Sequence, residues 1–175
     1  MVSRIKWSER RFTMGLAAEA APELIERLRG TPARLRERTE HLDRSILTAT
    51  PPGGGWSIQE HAGHLLDLEP LVTGRLDDYD AGRPVLRAAD MTNRATTEAR
   101  HNDRPLEDIL HAFDQQRRAL VTRLEALDAA ALARSAHHPR LNVPMRVVDM
   151  LSFQAEHDDY HLTSITDLRR MAATA

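Results

Sequence analysis

The feature that most constrains the fold is the spacing of the apolar residues, which recur at steps of three and four along most of the chain. This spacing follows the period of about 3.6 residues of an α-helix and differs from the alternation of a half-buried strand. Runs of β-branched residues are few, and aromatic residues make up only 4% of the chain. The pattern therefore predicts an all-α domain.

The first two of four such stretches are bounded by helix-breaking residues and a cap. The first predicts one long helix over roughly residues 20–47, with a kink near Pro32 because its apolar phase continues across the interruption. The second predicts a helix that begins with the capping box Ser57-Ile58-Gln59-Glu60, is kinked at Pro70 and ends before Gly82.

The third stretch predicts a helix that opens at Pro105, and the fourth predicts a helix from near Pro144 to about Met171. Residues 129–143 connect these two helices. Residues 83–103 form a connection that is long for packed helices, which predicts either a crossover or a functional lid. Together the stretches predict a four-helix bundle with a long connection between helices 2 and 3.

A length of 175 residues suits one domain, which we take as 1–175 with residues 1–18 as an N-terminal lead-in. We expect this lead-in to be a mobile basic segment that packs Trp7 or Phe12 onto the domain. Glu19 ends the apolar stretch behind the basic residues too early for a secretion signal. We therefore expect a cytoplasmic protein.

Charge and composition argue against several classes of function. The 24 Lys and Arg residues nearly balance the 26 Asp and Glu residues, so neither nucleic acid nor an anionic membrane is the expected partner. No apolar run approaches the ~20 residues that span a bilayer. The chain has no cysteine, which excludes disulfides, thiolate ligands and a cysteine nucleophile. The nine histidines are the obvious metal ligands, and we expect a small-molecule substrate.

Two histidines on the predicted fourth helix have the spacing of a metal-binding pair. His157 and His161 are four residues apart, so they lie one turn apart on one face. They continue an apolar stripe through Met150 and Phe153, which directs them into the bundle. A pair of core histidines satisfied by hydrogen bonds has the same spacing, so the pair alone does not identify a site.

A third imidazole on the second helix would complete a ligand set that leaves a position open for water or substrate. Two candidates stand three residues apart, His61 and His64. Glu60 and Asp158 are the nearest carboxylates in sequence and could orient ligands or act as a base. Each also has a structural explanation, since Glu60 serves the capping box and Asp158 could face solvent.

Three other patterns are weaker. His157-Asp158-x-x-His161 resembles a zinc protease motif, but its carboxylate is the shorter Asp, which makes a protease a minor alternative. The run Gly53-Gly54-Gly55 before a helix predicts a turn rather than an anion site. His137 and His138 precede a proline in a polar loop, and we expect them to be exposed to solvent and not to bind metal.

Two longer motifs resemble the signatures of the DinB/YfiT-like metalloenzyme superfamily. The first is Trp56-Ser57-Ile58-Gln59-Glu60 followed by Gly63-His64-Leu65, and the second is Glu156-His157-Asp158-Asp159-Tyr160-His161-Leu162. The segments Thr31–Leu35, Asn102–Leu106 and Pro139–Asp149 are also similar to that family. The resemblance therefore covers most of the chain.

This resemblance implies a four-helix bundle that assembles as a homodimer and holds a divalent metal through three histidines. Carried onto this sequence, the ligands are His64, His157 and His161, and His61 is set aside. Tyr160 stands where relatives often have a further histidine, so we expect substrate contacts near it to differ. Imidazole accepts Zn, Ni, Mn and Fe, of which Zn or Ni is favoured.

Three hypotheses of function remain open. The first is a metal-dependent hydrolase that uses activated water. The second keeps the same site but uses a low-molecular-weight thiol as cosubstrate, as an S-transferase or isomerase. The third is a non-catalytic bundle that acts as a stress-response or binding module. Three histidine ligands favour catalysis, because closed structural sites usually have four protein ligands.

Overall fold

The computed structural model describes residues 4–174, and this part of the chain is mostly helical. The predicted all-α four-helix bundle is confirmed, with one small β-hairpin added to it. In chain order the elements are α1 (Ala21–Arg29), α2 (Thr31–Thr39), α3 (Arg44–Leu47), α4 (Ile58–Asp80), α5 (Arg94–Glu98), α6 (Leu106–Glu125), α7 (Ala129–Ala133), β1 (Ser135–His138), β2 (Val143–Arg146) and α8 (Val147–Ala173).

The bundle is formed by α4, α6 and α8 together with the paired segment α1 and α2, which packs against both α6 and α8. Helix α4 also packs against α6 and α8, so the second and fourth helices of the bundle face each other. The core has two groups of buried side chains, one around Leu28 and Leu151 and the other around Leu35 and Phe113. The long apolar faces of α4 and α8 thus fix the helices that carry the candidate ligands.

The prediction of one helix over 20–47 is wrong, because the structure divides this stretch into α1, α2 and α3. Gly30 keeps an α-helical backbone, so the first interruption is only a change of direction. The chain then leaves the helix after Thr39, where Glu40 is extended and His41 has a φ of 64°. The apolar phase continued across this break because Leu42 still packs against the core.

The predicted start of the last helix near Pro144 is also wrong. Pro144 belongs to strand β2, which pairs antiparallel with β1, and α8 begins three residues later at Val147. The alternation along β1 buries Ala136 and His138, so the expectation that His138 is exposed is wrong as well. Strands of four residues are too short to give a recognisable alternating pattern.

The long connection 83–103 is packed and partly regular. It contains α5 and a 3-10 turn at His101–Asp103, and Val85 forms a β-bridge with His137. The ring of His101 is buried and its Nε2 lies 2.8 Å from a carboxylate oxygen of Asp67 on α4. The connection is therefore fastened to α4.

A buried ion-pair network joins three helices of the bundle. Arg117 on α6 donates to Glu69 on α4 at 2.6 Å and to Asp158 on α8 at 2.6 Å, and all three side chains are buried. It also donates to the carbonyl oxygen of Leu28 on α1. Such a charged group is costly to bury unless all its partners remain in place, so the network fixes the register of α8 against the other helices.

The N-terminal lead-in packs through aromatic side chains. The ring of Trp7 lies 5.1 Å from that of Phe153, and the ring of Phe12 lies 4.7 Å from it. The division into one domain, 1–175, with a lead-in over 1–18 stays a prediction, and residues 1–3 and 175 lie outside the described residues. Within the described part, none of the helices has the length and apolar character needed to cross a membrane.

Candidate metal centre

The start of α4 is fixed by the predicted capping box. The Ser57 hydroxyl accepts from the Glu60 amide at 3.1 Å, and the Glu60 carboxylate accepts from the Ser57 amide at 2.8 Å. Because this cap sets the helical phase, it decides which residues of the next turn point inward. His64 is buried as a result, and His61 is half-buried at the edge of the same face.

The structure brings together the three histidines named from the sequence. His64 on α4 and His157 and His161 on α8 are all buried, and each offers one ring nitrogen such that these atoms lie within 4.8 Å of one another. The ring centroids of His157 and His161 are 4.4 Å apart, as expected for residues one turn apart on a helix. That they bind a metal stays a prediction.

The hydrogen bonds of His64 and His161 indicate which ring nitrogen each would offer. The Nδ1 of His64 lies 3.0 Å from the hydroxyl oxygen of Thr96, which leaves its Nε2 free. The Nδ1 of His161 lies 2.9 Å from the Nδ1 of His61, which again leaves Nε2. Metal-binding histidines commonly donate from the other ring nitrogen to such an outer partner, which fixes their tautomer and orientation.

The third ring, His157, faces His161 directly. The two Nε2 atoms are 3.1 Å apart, while the Nδ1 of His157 is buried without a hydrogen-bond partner in residues 4–174. The ring of Trp7 packs edge-on against His157 at a centroid distance of 4.9 Å. Two imidazole nitrogens at this separation either share a proton or point their lone pairs toward a common cation.

The electrostatics of the site keep these imidazoles neutral. Burial lowers the pKa of His64 to about 4 and that of His61 to about 4. Burial, together with the neighbouring histidines, holds the pKa of His157 and of His161 well below the usual value. Neutral imidazoles present the lone pairs that metal binding requires, so no proton has to be removed near neutral pH.

The donor set fits a divalent transition metal. Nitrogen ligands held at ~2.0–2.1 Å by one tetrahedral zinc ion lie about 3.4 Å from one another. The three nitrogens here lie within 4.8 Å of one another, so the rings would move closer together on binding the ion. Neutral imidazole nitrogens are the ligands that zinc and nickel accept readily, and a set of three leaves coordination positions for other ligands.

The three histidines line a cavity of about 230 Å³. Its walls come from α4, α8, the lead-in, the hairpin and the long connection, whose Asn93 and Met91 lie at its edge. Trp56 stacks over His161 and also packs against His64, with ring centroids 5.9 Å and 4.5 Å away. The connection 83–103 therefore contributes both a wall of the cavity and the outer partner of His64.

The two candidate carboxylates have other contacts. Both hydrogen bonds between Glu60 and Ser57 belong to the capping box. Glu60 does not line the cavity. Asp158 does not face solvent, since its carboxylate accepts from Arg117, from the Thr31 hydroxyl at 2.8 Å and from the Gln154 amide at 3.0 Å. Asp158 is thus held in the ion-pair network and is not directed at the histidines.

Several residues of the site were not found from the sequence. Thr96 and Trp7 reach it from segments with no regular pattern, and His138 and Arg140 reach it from the hairpin. His61, set aside as a ligand, is the outer partner of His161. Only His61 carried a signal, because residues three apart on a helix lie near the same face.

The family model described as the DinB superfamily matches residues 27–165 of the chain. No curated protein gives a significant match. Among solved structures, YfiT from Bacillus subtilis, described as a probable metal-dependent hydrolase with an unusual four-helix bundle topology, is similar with a TM-score of 0.80 and 21% identity. The match covers 93% of this chain and 94% of that one.

Two further structures share the fold. The mycothiol-dependent maleylpyruvate isomerase has a TM-score of 0.67 and 8% identity over 86% of this chain and 63% of its own. The colibactin self-resistance protein ClbS, solved in complex with double-stranded DNA, has a TM-score of 0.65 and 14% identity over 85% of this chain and 94% of its own. At these identities the likeness shows a common fold and not a common reaction.

Proposed function

The chain belongs to the DinB superfamily, and we propose that it is a metal-dependent hydrolase whose divalent ion is held by His64, His157 and His161. The observation that carries the proposal is the convergence of three buried, neutral imidazoles on the wall of a cavity. The description of YfiT as a probable metal-dependent hydrolase supports the same reaction class.

A divalent ion held there would supply Lewis acidity, which acidifies water and polarises the scissile group of a substrate. Hydrogen bonds from the chain's own residues fix the orientation and the tautomer of the ligands for this role. His64 would donate its Nδ1 proton to Thr96, and His161 would donate its Nδ1 proton to the Nδ1 of His61. His61 then carries its own proton on Nε2, so both Nε2 lone pairs of the ligands stay available.

The remaining residues shape the cavity around the ligands. Trp56, Trp7 and Phe153 provide apolar walls that exclude bulk water and orient a small organic substrate. Glu60 and Asp158 are engaged elsewhere, and Asp90, which lines the cavity, accepts hydrogen bonds from Thr92 and Arg94. We therefore assign no protein carboxylate as the general base, and the three imidazoles with their outer partners constitute the proposed machinery.

The thiol-dependent alternative uses the same ligands with a different nucleophile. It is favoured by the shared fold of the mycothiol-dependent isomerase. The chain has no cysteine, so a thiol would have to come from a cosubstrate. An external thiol that attacks an electrophile would require the same open cavity.

Activity measurements separate these reactions. Protein loaded with zinc or nickel is assayed with a panel of small esters, amides and electrophiles, with and without a low-molecular-weight thiol. The proposal predicts hydrolysis that depends on the metal, is lost in His157→Ala and is indifferent to the thiol. Activity that requires the thiol would favour the transferase or isomerase. If no compound of the panel reacts, with or without the metal, the non-catalytic module would be favoured.

Three further expectations stay predictions. They are a homodimeric assembly, a small-molecule rather than a nucleic-acid partner, and a location in the cytoplasm. Gel filtration with light scattering measures the first directly. We propose the small-molecule partner because the cavity holds only about 230 Å³ and is lined by side chains of several segments.

A further inference from the structure

The wall of the cavity carries a group of hydrogen-bond donors that the proposed ligands do not use. Arg75 on α4, His138 on β1 and Arg140 in the hairpin turn all line it together with the three candidate ligands. Arg75 is only 4% exposed and His138 only 1% exposed. Buried polar groups are normally paired, so a buried group left without a partner inside a cavity points to a ligand that completes it.

Arg75 is buried without an ion pair in the described part of the chain. Its Nε donates to the carbonyl oxygen of Arg87 at 3.2 Å, which leaves the two terminal nitrogens of the guanidinium. Asp78, the nearest acid in the next turn of α4, is instead paired with Arg87 and Arg83. Burial lowers the pKa of Arg75, as expected for a cation without a close counter-charge.

Arg140 is a second cation of the same kind. It lies over the ring of Phe153, with its guanidinium carbon 5.7 Å from the ring centroid, and makes no ion pair within residues 4–174. Burial lowers its pKa too. Asp90 is the one acidic residue among those that line the cavity, and both its oxygens accept hydrogen bonds from Thr92 and Arg94.

His138 adds a neutral donor between these charges. Its Nδ1 accepts from the Leu141 amide at 3.2 Å, which places the ring proton on Nε2. That Nε2 is buried and has no partner in the residues the structure describes. Burial and the charges of Arg75 and Arg140 lower the pKa of His138 to about 4, so the ring is a neutral donor at pH 7.

We propose that Arg75, Arg140 and the Nε2–H of His138 form a binding site for the oxyanion of a small substrate, a carboxylate or a phosphate. Donors without an acceptor of their own, two of them cationic, match the oxygens of such a group. Because the site shares its cavity with the three histidines, the substrate would be an anionic molecule anchored at one end while its scissile bond faces the metal. This reading of the ligand as substrate rests on the proposed function.

The size of the cavity limits that molecule. A volume of about 230 Å³ lies below the ~300–1,000 Å³ of typical drug-sized pockets, so the substrate is small. Trp56 and Phe153 on the same wall favour an apolar or aromatic body between its two ends. The inferred substrate class is therefore a short ester or amide that carries one oxyanion group.

Binding can be measured without any metal, so the test is independent of hydrolysis. The probes are 4-fluorophenylacetate, 4-fluorophenyl phosphate and the neutral 4-fluorophenylacetamide, observed by fluorine NMR with the full chain in a chelator. At least one of the two anions should bind tenfold or more tightly than the amide, and the better anion identifies the group. Binding of both anions no tighter than that of the amide, or no binding of either anion, would overturn the proposal.

Variants assign the effect to the named residues. Arg140→Met, at a half-buried position, should weaken binding of the preferred anion roughly 10- to 100-fold while leaving binding of the amide unchanged. Arg75→Lys should recover more affinity than Arg75→Met, and Arg118→Met, which removes an exposed cation on α6, should have no effect. Unchanged affinity in Arg140→Met would contradict the assignment. Zinc titration of the same proteins after the chelator has been removed shows separately whether the metal proposal fails.

Discussion

The Nδ1 atom of His64 lies 3.0 Å from the hydroxyl oxygen of Thr96, although the two residues belong to different segments. His64 stands on the second helix of the bundle, whereas Thr96 stands on the short helix α5 within the connection 83–103. The connection thus supplies a hydrogen-bond partner to a proposed metal ligand. Its contact explains why a segment without a regular sequence pattern is packed against α4 so closely.

Thr96→Val should weaken metal binding, because it removes the group that orients His64 while keeping the shape of the side chain. Loss of such an outer partner typically lowers metal affinity by roughly 10- to 100-fold. The affinity is measured by competition with a chromophoric zinc chelator. The matched control is Thr97→Val, since the neighbouring Thr97 is exposed and its hydroxyl bonds only to the carbonyl of Asn93. Equal affinities of the two variants would show that Thr96 does not orient a ligand.

The sequence predicted those parts of the site that depend on local structure. The cap Ser57–Glu60 fixes the phase of α4 within one turn, and the four-residue spacing places His157 and His161 on one face. Both signals depend only on neighbouring residues. The family resemblance then selected His64 rather than His61.

The parts that were missed depend on contacts between distant segments. The end of α2 at Thr39 is hidden by an apolar phase that continues in α3, and the hairpin forms only when β1 and β2 pair. The burial of His138 follows from that pairing. Thr96 lies 32 residues from His64 along the chain, so no spacing rule could connect them.

Arg117→Met should destabilise the fold by about 3–5 kcal/mol, because it leaves the buried carboxylates of Glu69 and Asp158 without their partner. The free energy of unfolding is measured with urea. Arg118→Met, one residue along and exposed, should leave that free energy nearly unchanged. If the urea midpoint of Arg117→Met equals that of the wild type, the network has no stabilising role. Asp158 would then again be a candidate for a free carboxylate at the site.

Gly63→Ala should disturb both stability and the site. A β-carbon at Gly63 would lie 2.1 Å from the ring of His101, so that ring and the connection it anchors must move. We expect a loss of roughly 1–3 kcal/mol and a lower zinc affinity, since Thr96 moves with the connection. Gly30→Ala is the control, because its β-carbon would come no closer than 3.4 Å to another atom. A neutral Gly63→Ala would mean that the close packing of His101 is unimportant.

The metal-free protein should lose stability as the pH falls from about 6.5 towards 4. An unfolded histidine has a pKa near ~6.5, whereas burial lowers it to about 4 for His61, His64 and His138. Between these values the unfolded chain binds more protons than the folded chain, so acid favours unfolding, and above pH ~7 the effect vanishes. Urea titrations from pH 4.5 to 8 measure the slope. A stability that rises on acidification over this range would contradict neutral buried imidazoles.

The metal content of the protein tests the central claim most directly. The untagged chain is saturated with zinc, freed of excess ion by gel filtration and analysed by plasma emission, alongside His64→Ala, His157→Ala, His161→Ala and the exposed-residue control His111→Ala. We predict one tightly bound zinc ion per chain in the wild type and the control, and its loss in each of the other three variants. No stoichiometric zinc in the wild type, or full retention in His157→Ala, would contradict a metal centre built from these three histidines.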